Sequence, residues 1–329
     1  MRFGTYNVEK LFGSDAPGER KRHELVCEVI RGLNVDVLAV QEVAAAFPEQ
    51  AAERLAELGR RVGLTAYHRE PGTDAGPEYQ IGKIAVGISP HDLHLGLLWN
   101  PDRVEVVEGT FRSYPKENMH HGLIKMVFRV QGSDGAFYEV QHGSTHLTPF
   151  GPHAGRADEA VRVASAFTRP LDRPPGLVGG DWNTTSADRS SDGTFYDPDP
   201  YADFPWNPGA VFQCHRERDE RGHLIRWWAD RTTGEALLDG GLLEARVELH
   251  NATLATGGVP WQASAGHRSN ETIFGWRRID SIRCTADVVP ALRRVEIVDG
   301  ELACRASDHL PEVVEYDPAA ISRQVRSDV

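Results

Sequence analysis

Five short segments of this 329-residue chain bring acids, amides or histidines to the ends of stretches that read as strands. In Thr5-Tyr6-Asn7-Val8-Glu9, Asn7 and Glu9 stand at i and i+2, which in an extended strand puts both oxygen-bearing side chains on one face. In Val37-Leu38-Ala39-Val40-Gln41-Glu42 an apolar run delivers a carboxylate at its C-terminal end. Leu177-Val178-Gly179-Gly180-Asp181-Trp182-Asn183 closes another apolar run with a carboxylate and an amide, and its adjacent glycines would let the backbone approach a ligand closely. Arg278-Ile279-Asp280-Ser281-Ile282 sets an acid between apolar neighbours, where it costs stability unless paired. Downstream, Ser307-Asp308-His309-Leu310-Pro311 supplies a histidine for that pair, which would fix the imidazole's tautomer and favour its charged form. Taken alone, each segment also has a plain structural explanation, a strand end or an Asx-type turn.

The remaining segment, Gly143-Ser144-Thr145-His146-Leu147-Thr148-Pro149, invites a histidine–zinc reading together with His142 and His153. In an extended strand, however, His142 and His146 lie roughly 13 Å apart, too far to share one ion. Glycine, threonine and proline disfavour a helix that would bring them together. A single functional histidine, His146, is the expectation.

The elements that must position these residues are mostly short strands. Arg2–Tyr6, Val35–Val40, Ile84–Ile88, Leu95–Trp99, Ile124–Val130, Phe137–His142, Gly176–Gly179, Arg278–Arg283, Arg294–Val298 and Glu312–Tyr316 are predicted as strands, several followed by Gly, Pro, Asn or Asp. Lys125-Met126-Val127-Phe128-Arg129-Val130 alternates polar with apolar, as a strand with one buried face does. Helices are fewer. Leu25, Val26, Val29 and Ile30 share a face in a segment closed by Gly32. Pro48 opens Glu49–Leu58, and Arg156–Phe167 carries Ala160, Val161, Ala164 and Phe167 on one face. Two sheets packed face to face with helices outside satisfy this pattern. There is no internal repeat. Ser186–Gly275 stands apart, rich in Asp, Arg, Trp and Pro with few strand signals, and Asp317–Val329 reads as a polar tail.

Bulk composition narrows the partners. With 36 Lys+Arg against 48 Asp+Glu the formal charge is -12, which argues against coating nucleic acid through a basic face and suits a site that holds cations. The four cysteines (Cys27, Cys214, Cys284, Cys304) are widely spaced, without a zinc-ribbon or dense disulfide pattern. The start lacks the apolar core of a signal peptide and no window has the length of a membrane span, so a cytoplasmic protein is expected. No feature points to a protein partner.

The five segments, in this order and with this local spelling, resemble the endonuclease/exonuclease/phosphatase superfamily. The resemblance covers roughly residues 1–43, 82–185 and 275–316. It implies an α+β fold, a four-layer sandwich of two mixed β-sheets flanked by helices as in deoxyribonuclease I. One domain would then span residues 1–316, with a substrate-proximal insertion at about 186–275. By the same resemblance, Asn7, Glu42, Asp308 and Glu9 would form a divalent-metal site. Oxygen and amide ligands suit magnesium, with manganese as a substitute, rather than zinc. Asp181 would orient or deprotonate the attacking water and Asn183 would contact the phosphate. His309, held by Asp280, would touch the phosphoryl group, and His146 would stabilise the transition state; Ser144 stands where relatives carry asparagine.

Such a grouping suits phosphate-ester hydrolysis on chemical grounds too. A metal neutralises the anionic ester and an aligned water supplies the nucleophile. Donors aimed at the developing charge contribute roughly 10²–10³-fold each. A nuclease or other phosphodiesterase is the first expectation. A phosphatase or phosphodiesterase acting on a small phosphorylated metabolite is the second, and an inactive binding protein the third. Within 186–275, Arg226, Trp227 and Trp228 combine guanidinium and aromatic groups able to contact phosphates and stack bases. Their bland alternative is a solvated loop whose tryptophans pack inward. Ala236–Val247 reads as a helix–turn–strand packing unit.

Overall fold

The computed structural model describes residues 1–68, 83–114, 118–151, 153–169, 173–202, 205–268 and 275–322. From the N-terminus come β1 (Arg2–Leu11), α1 (Pro17–Leu33), β2 (Val37–Ala44), α2 (Pro48–Val62), β3 (Val86–Gly87) and β4 (Leu93–Trp99). Next are β5 (Val104–Val106), β6 (Arg112–Ser113), β7 (Gly122–Gln131), β8 (Phe137–His146), α3 (His153–Thr168) and β9 (Gly176–Asp181). The hairpin β10 (Cys214–Arg218) and β11 (Leu224–Ala229) leads to α4 (Thr232–Asp239), β12 (Leu242–Glu244) and α5 (Ala245–Thr253). The chain closes with β13 (Asp280–Thr285), β14 (Leu292–Ile297), α6 (Glu301–Ala306) and β15 (Glu312–Tyr316).

Two sheets carry the molecule. One runs β14-β15-β1-β2-β4-β3 and the other β12-β13-β9-β8-β7-β5, with β6 also on β7. Each has a parallel pair near its centre, β1 with β2 and β8 with β9. Strand alternation explains the layering. Phe3, Val37 and Ala39 point inward to meet Leu97, Met126, Phe128 and Ile282 between the sheets. Tyr6, Val8, Leu38 and Val40 point outward against Val26, Ile30, Leu55 and Leu58 of α1 and α2. On the far side, Val178 and Trp182 pack on Ala160, Val163 and Phe167 of α3 and Leu237 of α4. Three apolar layers thus separate four layers of structure, the expected α+β sandwich. Among the described residues no helix is long and apolar enough to cross a membrane.

Several details depart from the sequence expectations. Gly32 lies inside α1; the helix ends at Asn34, whose left-handed backbone (φ 47) caps it. Asparagine tolerates that conformation, so glycine was not needed there. Val161 is 50% exposed while Ala160, Ala164 and Phe167 are buried, so the apolar face of α3 excludes it. Gly179 and Gly180 serve sheet packing: a Cβ would come within 2.5 Å of Thr5 on the facing sheet in one case, and of the Thr145 carbonyl on β8 in the other. The start of the supposed tail is folded. Ile321 is 2% exposed and Asp317 accepts hydrogen bonds from Ser133, while 323–329 lie outside the described residues.

Candidate active site

Sheet register brings the first three groups abreast. In the parallel pair β8–β9, His146 lies opposite Asp181; in the antiparallel pair β9–β13, Asp181 lies opposite Asp280. Three ionisable side chains on adjacent strands therefore face one spot. The Asp181 Oδ2 atom is its centre, 3.0 Å from Asn7 Nδ2, 3.4 Å from His146 Nε2 and 3.9 Å from His309 Nδ1. Its other oxygen accepts the Asn183 backbone N–H at 2.9 Å.

The histidine–aspartate pair forms as expected. His309 Nδ1 is 2.7 Å from Asp280 Oδ2, which also accepts the Ser264 hydroxyl at 2.8 Å. Burial, together with the Asp181 charge, pushes the Asp280 carboxyl up to about 6 despite His309. Burial alone would depress His309, yet the carboxylates of Asp280, Asp308 and Asp181 reverse this and hold its imidazolium well above the ordinary range. With Nδ1 taken up by Asp280, Nε2 is the ring nitrogen that remains for another partner. Asp181, Asp280 and His309 offer ligand atoms within 4.8 Å of one another, but the last two already bind each other, so an aspartate–histidine pair describes them better than a metal centre.

The acidic side of the site is built on a break in regular structure. β1–β2 pairing shifts register between Asn7 and Leu11, and Glu9, Lys10 and Glu42 adopt positive φ (49, 51 and 66). Non-glycine residues held this way cost free energy and recur at functional sites, where a bulge re-aims a side chain. Asn7 Nδ2 bridges Glu42 Oε1 (3.2 Å) to Asp181, while its oxygen accepts the Glu9 N–H. Ser307 anchors the Asp308 turn by donating to the Asn7 carbonyl at 2.7 Å. Glu9 does not continue the alternation from Asn7. Its carboxylate is drawn to Arg268 (2.7 Å) and Arg22 (3.6 Å). Burial, and then the Asp308 charge, raise the Glu9 pKa. Oxygen and amide donors without sulfur suit a hard divalent cation such as Mg²⁺ or Mn²⁺, but among the described residues no three of the acidic groups Glu9, Glu42, Asp181 and Asp308 bring ligand atoms within 4.8 Å of one another.

His146 is 3% exposed and stacks on His121, with ring centroids 4.0 Å apart and planes 16° from parallel. Asn183 (φ 51) donates from Nδ2 to the Leu147 carbonyl, tying the β9 end to the β8 end. Below them Gln41 donates to Ser144, which donates to the Val40 carbonyl, so Ser144 joins the two sheets under the site. In the hairpin the structure separates three residues that the sequence grouped. Trp227 donates to the Tyr201 carbonyl and packs with Trp206 in a small hairpin core. Trp228 and Arg226 instead line a cleft of about 490 Å³. Sequence reasoning missed Ser264, Arg22 and His121, and quoted Ser307 without giving it a role. A lone serine or arginine carries no local signal, although the His120-His121 doublet could have drawn notice.

A two-sheet sandwich with carboxylates and a charged histidine gathered at its strand ends defines a phosphoester hydrolase of the deoxyribonuclease I type. The chain belongs to the endonuclease/exonuclease/phosphatase family, whose sequence pattern matches residues 4–309. No curated protein matches it. Among solved structures, a functionally unknown conserved protein from Enterococcus faecalis superposes with a TM-score of 0.56 at 13% identity, over 96% of this chain and 98% of that one. A mannosyl-6-phosphatase from Bacteroides thetaiotaomicron gives 0.53 at 14% identity, over 96% and 98%. A 3′ phosphatase from Neisseria, solved with a product DNA hairpin, gives 0.50 at 17% identity, over 96% and 99%. These likenesses establish the shared fold.

Proposed function

We propose that the protein hydrolyses phosphodiesters with the help of a divalent cation, using a water molecule that Asp181 orients and deprotonates. The observation that carries this reading is the convergence of Asn7, His146 and His309 on the single atom Asp181 Oδ2. Glu42 and Asp308 would hold the cation, with Asn7 fixing Glu42 and with Glu9 as a nearby counter-charge. When bound, the cation neutralises the ester and polarises a phosphoryl oxygen. The imidazolium of His309 donates to the charge that builds on phosphorus-bound oxygen, and Asp280 keeps it oriented and charged. His146, pressed against His121, donates from the other side of Asp181. Asn183, whose Nδ2 already donates to the Leu147 carbonyl, would contact the phosphate.

Residues 1–316 then act as one catalytic domain, and 186–275 selects what is cleaved. A nucleic acid or nucleotide diester is the first substrate reading. A small phosphorylated metabolite is the second, favoured by the formal charge of -12; the cleft of about 490 Å³ beside the hairpin is lined by Arg226 and Trp228 but by none of the catalytic residues. The cysteines are unpaired and three of the four are buried, in keeping with a cytoplasmic setting. The experiment is turnover of DNA, RNA and a panel of phosphorylated metabolites with magnesium and with excess chelator. Activity that persists in chelator overturns the metal assignment, and monoester-only turnover overturns the diesterase reading.

A further inference from the structure

The hairpin holds a second carboxylate–imidazole assembly that the proposed reaction does not use. Asp230 follows β11 with its side chain 0% exposed, and two histidines converge on it. His153 Nδ1, at the start of α3, lies 2.6 Å from Oδ2, and His215 Nε2, in β10, lies 2.9 Å from Oδ1. Oδ1 also accepts the Thr232 N–H and hydroxyl at 3.1 and 2.6 Å. Although burial opposes it, the Thr232 donors and then the two imidazoles keep the Asp230 carboxyl below its usual range. The side chains of His153 and His215 are 27% and 40% exposed; the His153 Nδ1–Asp230 Oδ2 contact is an ion-pair distance without hydrogen-bond geometry, so His153 keeps both ring nitrogens for a ligand.

Their surroundings suit an anion attached to a planar ring. The His215 and Trp228 rings are 5.7 Å apart, and the Arg226 guanidinium lies 5.1 Å over Trp228 in the same cleft. Acids in the cleft wall are engaged: Asp197 pairs with Arg278, and Asp199 accepts the N–H groups of Tyr201 and Ala229. Glu235 also lines the cleft, as an exposed carboxylate. A metal site fits less well. Among the described residues only Asp181, Asp280 and His309 bring three ligand atoms within 4.8 Å, so the imidazoles around Asp230 do not converge on one ion. The assembly is also rooted beside the phosphoryl site. Thr184, next to Asn183, donates its hydroxyl to the Asp230 carbonyl at 3.0 Å. Buried Arg156 feels the charges of both Asp230 and Asp181.

We propose that His153 and His215, beside Asp230, bind an anionic group of the substrate other than the phosphate that is cleaved, with Trp228 stacking the planar base carried by the sugar that joins the two. This deepens the proposed function and rests on it: the substrate becomes a nucleotide-like ester with a second phosphate. The test uses Asp181→Asn protein in magnesium, titrated calorimetrically with thymidine 3′,5′-bisphosphate and with thymidine 5′-phosphate. Two charge-assisted hydrogen bonds should make the bisphosphate bind at least about 10-fold more tightly. Adding His153→Gln and His215→Gln should bring the two affinities within about 2-fold of each other. Arg226→Ala, on an exposed side chain that cannot unfold the core, should lower bisphosphate affinity about 3-fold or more. Equal affinities in the parent, or an undiminished preference in the double-histidine variant with its melting temperature retained, overturn the subsite. Hydrolysis by the wild-type protein is assayed separately. A preserved bisphosphate preference without any hydrolysis would remove the reaction and keep the subsite, and hydrolysis without preference would do the reverse.

Discussion

Asp280 and Asp230 are both fully enclosed aspartates flanked by histidines, yet they sit in very different parts of the molecule. Asp280 begins a regular strand of a large sheet, opposite Asp181, and orients His309, itself 8% exposed. Its environment is apolar and acidic, which pushes its carboxyl up to about 6. Asp230 ends a two-stranded hairpin with a small core of its own and lies beside two half-exposed histidines, while hydroxyl and amide donors hold its carboxyl down. The first arrangement is fixed by the register of the whole sheet and can hold a group to the accuracy that chemistry needs. The second rides on a loop-rich segment, where substrate contacts usually sit. On the proposed function, reaction and selection would occupy different structural levels, and the two levels should respond differently to mutation.

The largest expected effect is loss of turnover on chelation, restored by magnesium or manganese and read in a steady-state assay. Next, Asp181→Asn and His309→Ala should each lower kcat by roughly 10²-fold or more. His146→Ala should do the same, with the melting temperature nearly unchanged. A variant keeping near wild-type kcat would remove that residue from the reaction and weaken the distinction drawn above.

A pH–rate profile separates Asp280 from the groups it serves. Protonation of Asp280 below about pH 6 releases His309, so the wild-type rate should fall on the acid side of that value. His309 is held above its ordinary range by neighbouring carboxylates, so its charged form persists through neutrality and is lost only as pH rises further. In Asp280→Asn, the removal of one of these carboxylates lowers the His309 pKa. The alkaline fall in rate should then move to lower pH, with a milder loss of kcat than in His309→Ala. An unmoved alkaline limb would dissociate the pair from the rate.

The smallest effects should distinguish the adjacent tryptophans. Trp228→Leu should raise KM several-fold with little change in kcat or melting temperature, because its ring lines the cleft. Trp227→Leu should instead cost roughly 1–2 kcal/mol of stability through the hairpin core, seen as a melting temperature lower by a few degrees. The opposite assignment would show that the cleft is not where substrate binds.

Much of this could be read directly from the chain. Runs of β-type residues ending in Asn7, Glu42, His146 and Asp181, and an acid lodged among apolar neighbours at Asp280, announce both strands and chemistry, because alternation and strand-end polarity are local properties. Period-two alternation even implied that Trp227 and Trp228 face opposite ways, although the sequence reading grouped them. Other features needed the tertiary structure. Register alone sets His146, Asp181 and Asp280 side by side, and residue type does not encode register across such sequence separations. The positive φ values at Glu9, Lys10 and Glu42 override the alternation that would have set Glu9 beside Asn7, and Arg268 reaches Glu9 from 259 residues away. The glycine pair looked like room for a ligand but is room for Thr5 and Thr145. His153 and His215 gained meaning only when the fold closed both around Asp230. A side chain's type is written in the sequence; the charge, burial and partners that give it a role are created when distant strands and loops pack together.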